Sequence, residues 1–200
     1  LYSNELIDAL PFHVLEKRGD EVLELCVDDK GTEALKPLSR PGLAVPADAV
    51  KDSLADGERH AVSLEAAAWL TTAANRLTKG FMLTADYGKR FSPDAPNPPR
   101  SYRAHAVETE LSRDAGLRDL TASADFESLI TAGEAAGLAL ASYESLSRFL
   151  VDGGIERHFA AAAGDDASSY SERAKLKTLM HPEGMGEVFK VLIQRKNVPC

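Results

Sequence analysis

A capped helix that runs into a short apolar strand constrains the fold of this 200-residue chain more than any other segment. Ser63 can cap a helix that continues to about Thr78, and Gly80 follows where that helix would end. Residues 81–88, Phe-Met-Leu-Thr-Ala-Asp-Tyr-Gly, then have the pattern of a buried strand. Because α/β sheets bind ligands beyond the carboxyl ends of their strands, the sequence predicts an α/β fold with Asp86 at the ligand-binding edge. The alternative is that Asp86 only caps the following turn.

A hairpin and two insertions are predicted around this unit. Residues 13–17 and 21–27 alternate or run apolar on either side of an Arg-Gly-Asp sequence, which predicts a β-hairpin. We expect this hairpin to belong to an insertion over residues 12–58, and a second, loop-rich insertion over residues 89–122. Both segments contain several prolines.

A further helix and two strands are predicted after the second insertion. Ser123 is the expected N-cap of the helix, and residues 138–143 and 188–194 are the expected strands. The helix that begins after Ser63 is expected to direct one face to the core, comprising Leu64, Ala67, Ala68, Thr71, Ala74 and Leu77. The corresponding face of the second helix comprises Phe126, Leu129, Ile130 and Gly133.

Composition and missing motifs argue against several function classes. The net charge of −8 includes no dense basic block, which argues against a nucleic-acid partner. The longest apolar stretches fall far short of the roughly 20 residues of a membrane helix, so no membrane span is expected. Two cysteines and five histidines lack metal-ligand spacing, so no metal site is expected, and the sparse cysteines favour a cytoplasmic location. Neither a dinucleotide fingerprint nor a phosphate-binding loop is present.

Acidic and amide side chains recur at the predicted strand ends. Carboxylates that gather in a partly desolvated cleft can hold a guanidinium group through charge-assisted hydrogen bonds. Each acid taken alone can equally be a solvated surface group or a cap, since exposure is the usual state of charged side chains. The candidates are Asn4, Glu5 and Asp8 near the start of the chain, Asp86 in the middle, and Asp119 and Asp125 further on.

Six short motifs follow one another along the whole chain. They are Asn4-Glu5-x-x-Asp8-Ala9-Leu10-Pro11, Asp86-Tyr87-Gly88, Tyr102-x-x-His105, Asp119-Leu120-Thr121 with Asp125-Phe126, Phe149-Leu150, and Met185-Gly186-x-x-Phe189-Lys190-Val191-Leu192. In this order they resemble the MidA-like family of S-adenosylmethionine-dependent methyltransferases. That family is related to the mitochondrial complex I assembly factor that methylates arginine.

The resemblance implies a class I (Rossmann-like) methyltransferase fold, in which a mostly parallel sheet flanked by helices binds S-adenosyl-L-methionine at its strand ends. The family's glycine-rich cofactor loop and ribose-binding acid would precede Asn4. We therefore expect residues 1–200 to be the C-terminal portion of the domain, beginning at the end of its fourth strand and inactive by itself. Ser123 stands where the family commonly has histidine, and Leu146 where it commonly has glutamine; both differences bear on substrate preference.

The resemblance also implies roles for individual residues in a reaction that methylates arginine in a protein substrate. Glu5 and Asp8 would orient the guanidinium group, with Asp86 as a third catalytic residue, and Asn4 would contact the cofactor. The expected substrate and loop residues are Tyr87, Arg103, His105, Asp119 and Thr121. For the Asp119 group, an Asx-type turn with a helix cap is a slightly better explanation than direct catalysis.

Two other functions fit the same residues. One is a non-catalytic module that binds or assembles a partner protein on the methyltransferase fold, and the other is methylation of a small molecule. An uncovered sheet edge also predicts association between copies, with a homodimer as one form.

Overall fold

The computed structural model of the chain describes residues 1–92, 95–103, 106–108, 111, 117, 119–161, 164 and 166–199. The strands are β1 (Tyr2–Asn4), β2 (His13–Arg18), β3 (Glu21–Val27), β4 (Glu33–Lys36), β5 (Arg59–Val62), β6 (Gly80–Lys89), β7 (Arg100–Arg103), β8 (Ala106–Glu108), β9 (Asp119–Thr121), β10 (Ala124–Asp125), β11 (Ala139–Ser145) and β12 (Phe189–Lys196). The helices are α1 (Ala44–Val50), α2 (Leu64–Arg76), α3 (Phe126–Ala135), α4 (Leu146–Asp152), α5 (Glu156–Ala161) and α6 (Ala167–Met180), with short helical turns at Pro41–Leu43 and Pro182–Gly186. Among the helices of these ranges, none is long and apolar enough to cross a membrane.

A mixed sheet forms the centre of the structure, in the order β1, β6, β12, β11. Strand β1 runs parallel to β6, with Ser3 beside Thr84, whereas β12 runs antiparallel to both of its neighbours. The two-residue strand β10 joins the carboxyl end of β6 beside Gly88 and Lys89. The predicted α/β class is confirmed, and this sheet contains the three strands predicted at residues 81–88, 138–143 and 188–194. The finer assignment, to the class I methyltransferase fold, still depends on the resemblance to the MidA-like family.

Helix α2 begins where the sequence predicts, but it buries a different face. The backbone N–H of Ala66 donates to the Ser63 hydroxyl at 3.1 Å, which confirms the predicted cap. The buried stripe consists of Ala66, Leu70 and Ala74, so the predicted face is wrong in phase and shares only Ala74 with it. Leu70 lies at the centre of the buried stripe, so the observed face buries a large apolar side chain in the middle of the helix, where the predicted face has Ala67, Ala68 and Thr71.

Helix α3 has the predicted apolar face and a different cap. Its N-cap is Asp125, whose carboxylate accepts hydrogen bonds from the backbone N–H groups of Glu127 and Ser128, so the assignment to Ser123 is wrong. The chain is still extended at Ala124 and Asp125 because β10 pairs with β6, which moves the helix start two residues along. All four predicted face residues are buried. The core between α2, α3 and the sheet contains Ile7, Ala66, Leu70, Ala74, Met82, Ala124, Phe126, Leu129, Ile130, Leu138 and Leu192.

A second, antiparallel sheet has the order β4, β3, β2, β5. The predicted hairpin is present as β2 and β3, and β5 extends the same sheet to Val62, four residues past the predicted insertion. The limits of both insertions remain predictions. Glu16, which is 2% exposed, accepts a hydrogen bond from Arg59 at 2.8 Å, and Arg59 also donates to Glu33 at 2.8 Å. The buried acid in this sheet is therefore paired.

A small third sheet, in the order β8, β7, β9, lies within the second predicted insertion. Asp119 pairs with Tyr102 across β9 and β7, and Thr121 pairs with Arg100. Arg103 ends β7, and the predicted loop residue His105 lies outside the described residues.

Candidate functional site

The turn after β1 carries three of the predicted site residues. Asn4 and Glu5 are both exposed, and the Asn4 amide donates to the Glu5 carboxylate at 3.2 Å. Glu5 has a left-handed backbone, with φ of 47°, and its N–H donates to the Ala85 carbonyl at 3.0 Å. A side chain with a Cβ is disfavoured in this conformation by about 1–2 kcal/mol. The turn therefore carries backbone strain at Glu5.

Asp86 holds this turn from the neighbouring strand. Its side chain is fully buried, and it accepts hydrogen bonds from the backbone N–H groups of Ile7 at 2.9 Å, Asp8 at 3.4 Å and Tyr87 at 2.9 Å. Burial, together with the nearby Asp8 charge, raises the pKa of Asp86 to about 6, although the three N–H groups act in the opposite direction. Asp86 is therefore enclosed, whereas the neighbouring Asp8 lines a cavity.

Asp8, Tyr87 and Thr121 lie together above the end of β6. The Tyr87 and Thr121 hydroxyls share a hydrogen bond, and Asp8 lies beside the Tyr87 hydroxyl. Burial and the nearby carboxylates of Asp8 and Asp86 keep the pKa of Tyr87 above its usual range, so its hydroxyl keeps its proton. The Asp8 Oδ1 atom is itself buried and has no hydrogen-bond partner among the described residues.

A cavity opens next to Asp8, between the turn, strand β5 and the start of α3. His60 and Asn97, which line it, are 8% and 3% exposed, and the Asn97 N–H donates to His60 Nδ1 at 2.9 Å. Neither residue is predicted from the sequence to belong to a site. The available signals are a histidine directly before Ala61 and Val62 and an asparagine between two prolines.

Gly88 lets β10, and with it the wall of this cavity, approach the central sheet. A Cβ atom at position 88 would lie 2.1 Å from the Ala124 carbonyl oxygen, which is far inside van der Waals contact. Ala124 and Asp125, the two residues of β10, both line the cavity.

We expect Gly88→Ala to lower the free energy of unfolding by about 1 to 3 kcal/mol, because β10 must move away from β6 to admit the methyl group. Urea denaturation of the full-length protein measures the change. Gly42→Ala is the matched control, since a Cβ at that position meets only the flexible end of the Leu64 side chain, at 3.3 Å. Equal stability of the two variants would contradict the close approach of β10.

The structure thus brings together Asp8, Asp86, Tyr87 and Thr121, with Asn4 and Glu5 at the exposed rim of the same turn. Asp119 is exposed two residues before Thr121, at the far end of β9. No group of three or more His, Cys, Asp or Glu residues in the described ranges could hold a metal ion.

Comparisons with known proteins agree on one family. The profile of a family described as "Putative S-adenosyl-L-methionine-dependent methyltransferase" matches residues 1–144. Two crystal structures of proteins from Burkholderia thailandensis are similar to the whole chain at 25% sequence identity: an uncharacterized protein, with a TM-score of 0.87, and a "likely methyl transferase" bound to S-adenosyl-homocysteine, with a TM-score of 0.83. The chain spans 55% and 54% of the length of those two proteins, or about half. No protein with a curated description matches it.

Proposed function

Because this chain belongs to the MidA-like family of S-adenosylmethionine-dependent methyltransferases, we propose that it forms the methyl-acceptor site of a cytoplasmic protein-arginine N-methyltransferase. The observation that carries the proposal is Asp8, which lines a cavity at the carboxyl ends of two parallel strands and has one buried carboxylate oxygen without a partner in the described part of the chain. An arginine guanidinium group supplies the N–H donors and the positive charge that such an oxygen lacks.

Asn4, at the exposed rim of the turn, has the chemical groups needed to contact the cofactor. Asn4 carries both an amide donor and a carbonyl acceptor, and it lies exposed at the carboxyl end of β1, where α/β sheets bind their ligands. We assign the cofactor contact to Asn4. S-adenosyl-L-methionine, when bound, supplies an electrophilic methyl group on a positively charged sulfonium.

The chain's own residues orient the acceptor nitrogen. Asp8 would hold the guanidinium by its N–H groups, and Glu5 would do so from the rim, which concentrates electron density on the attacking nitrogen. A fixed alignment of this kind is worth roughly 7 to 11 kcal/mol in well-oriented reactions. Tyr87, which keeps its proton, and the enclosed Asp86 act as positioning residues for Asp8, while Thr121 fixes Tyr87. Bracing of a covering loop by Arg103 and His105 remains a prediction, as does the fixing of its return turn by Asp119 and Thr121.

The test is transfer of a labelled methyl group by the full-length protein to arginine-containing peptides, with the product identified by mass spectrometry. We expect methylarginine. If a methylated small molecule is found and methylarginine is not, the substrate is a small molecule and the proposed arginine specificity is wrong. Capture of a partner protein that persists without cofactor, with no methylated product, would favour the assembly module instead.

Glu5 provides a variant in which stability and activity should change in opposite directions. We expect Glu5→Gly to raise the free energy of unfolding by up to about 1 kcal/mol, because glycine relieves the left-handed strain at some cost in chain entropy. We expect the same variant to lose methyl transfer by roughly tenfold or more, since the carboxylate is gone. Denaturation and initial-rate assays measure the two effects.

Asn197 is the control for this prediction, because it also has a positive φ, 54°, and lies at the opposite end of the central sheet, where its amide donates to Thr78. Asn197→Gly should leave methyl transfer unchanged. Full activity in Glu5→Gly would remove Glu5 from the site.

A further inference from the structure

Asn97 is anchored by three of its four hydrogen-bonding groups. Its backbone N–H donates to His60 Nδ1 at 2.9 Å, its carbonyl accepts from the Ala61 N–H at 2.7 Å, and its side-chain amide donates to the Ser123 carbonyl at 2.8 Å. A carbonyl oxygen can only accept, so the NH₂ group of Asn97 must face Ser123. The remaining atom, Oδ1, is buried and has no partner among the described residues.

His60 holds Asn97 and is not available as a base on this side. The Asn97 N–H can only donate, so Nδ1 of His60 carries a lone pair and the proton of the neutral ring lies on Nε2. Burial lowers the pKa of His60, although the nearby Asp125 acts in the opposite direction. The hydrogen bond from Asn97 fixes the tautomer of His60 and occupies its Nδ1 atom. His60 is therefore a positioning residue for Asn97.

Two residues that line one cavity, Asp8 and Asn97, therefore each have a buried side-chain oxygen, Oδ1, with no donor among the described residues. The two residues come from different segments, the turn after β1 and the second predicted insertion. Leaving a buried acceptor unpaired costs about 1–3 kcal/mol, so a cavity with two of them fits a ligand group that brings at least two N–H donors.

We propose that Asn97 is a specificity-determining residue of the methyl-acceptor site: its Oδ1 atom accepts one N–H of the acceptor group while Asp8 accepts another, with His60 and Ser123 holding the amide in place. The inference rests on the proposed function, because it takes Asp8 as a residue that binds the acceptor. A site of this kind selects guanidinium groups over hydroxyl and thiol groups, which offer a single donor.

Asn97→Leu removes the oxygen and keeps the volume of the side chain. In the full-length protein we expect the KM for an arginine peptide to rise about tenfold or more, with the KM for S-adenosyl-L-methionine unchanged. Binding of N-ethylguanidinium, followed by NMR titration, should weaken by a similar factor. Unchanged peptide KM and unchanged probe binding would overturn the proposal, and would mean that a water molecule alone satisfies the Asn97 oxygen.

A pair of His60 variants keeps the test decisive if Asn97→Leu does not fold. His60→Asn places an acceptor close to the position of Nδ1, whereas His60→Leu has none. We expect N-ethylguanidinium binding close to that of the wild type in His60→Asn and weakened several-fold in His60→Leu. Equal binding by the two folded variants would contradict the positioning role.

The same measurements separate this inference from the proposed function. If the wild type methylates no arginine peptide but binds N-ethylguanidinium through Asn97, the proposed function fails and the Asn97 contact stands. If the wild type methylates arginine, and Asn97→Leu changes neither the KM for the arginine peptide nor the binding of N-ethylguanidinium, only the inference about Asn97 fails.

Discussion

Asp8→Asn is expected to lower methyl transfer by about 100-fold or more in the full-length protein, with no loss of stability. The substitution removes the negative charge that holds the guanidinium, and preorganised electrostatic contacts of this kind are typically worth factors of about 10² to 10³ in rate. The backbone N–H of residue 8, which donates to Asp86, is unaffected. Removing the Asp8 charge also relieves its repulsion of Asp86, so the free energy of unfolding at pH 7 should stay the same or rise.

The measurements for this variant are initial rates, calorimetry with S-adenosyl-L-methionine and urea denaturation. Cofactor binding is expected to remain close to that of the wild type. Asp52→Asn is the matched control, since it makes the same charge change at an exposed position in the first predicted insertion, and it should keep full activity. A rate for Asp8→Asn within a few-fold of the wild type would remove Asp8 from the site and leave the acceptor without its main charged contact.

Asp86 is expected to have the largest effect on stability. Asp86→Ala removes the acceptor for three backbone N–H groups and should lower the free energy of unfolding by about 3 kcal/mol or more. Asp86→Asn keeps one acceptor oxygen and no charge, so we expect a smaller loss, of about 1 to 2 kcal/mol. Methyl transfer should fall in both variants because the turn that carries Asp8 loses its anchor.

The difference in the free energy of unfolding between the wild type and Asp86→Asn should also depend on pH. The pKa of Asp86 is raised to about 6 in the folded protein from an ordinary value of 3.8, so the folded state binds the extra proton between these values. The wild type should therefore gain stability relative to Asp86→Asn as the pH falls from 7 to 4, by about 2 to 3 kcal/mol, and lose that advantage as the pH rises through 6. Denaturation at several pH values measures this difference. A constant difference would contradict a raised pKa for Asp86.

Local signals in the sequence were enough to find most elements. Ser63 is followed directly by a helix-forming segment, so its role as a cap could be predicted from a few residues. Ser123 and Asp125 are both good cap residues two positions apart, and the choice between them is made by the pairing of β10 with β6, a contact over more than 35 positions. The face of α2 is alanine-rich, so its phase depends on which side the sheet and α3 cover rather than on its own pattern.

The acidic cluster could be predicted in part, because strand ends in α/β sheets meet at one edge. Asp8, Asp86 and Tyr87 lie close together as expected from that rule. The enclosure of Asp86 could not be predicted, since it depends on backbone N–H groups from residues 7 and 8. His60 lies in β5 and Asn97 in the second predicted insertion, and no local pattern indicates that the backbone of Asn97 meets the ring of His60.

The hydrogen bonds that shape the cavity join residues that are far apart in the sequence. This separation determines when the cavity forms during folding. The Ile7 to Asp86 contact spans 79 positions, the Asn97 to His60 contact 37, and the Asn97 to Ser123 contact 26. Contacts of such separation are formed late, because each must repay the entropy of closing its loop. A nascent chain that ends before Ser123 lacks the last anchor of Asn97, so we expect the cavity to be completed only after that residue has been synthesised.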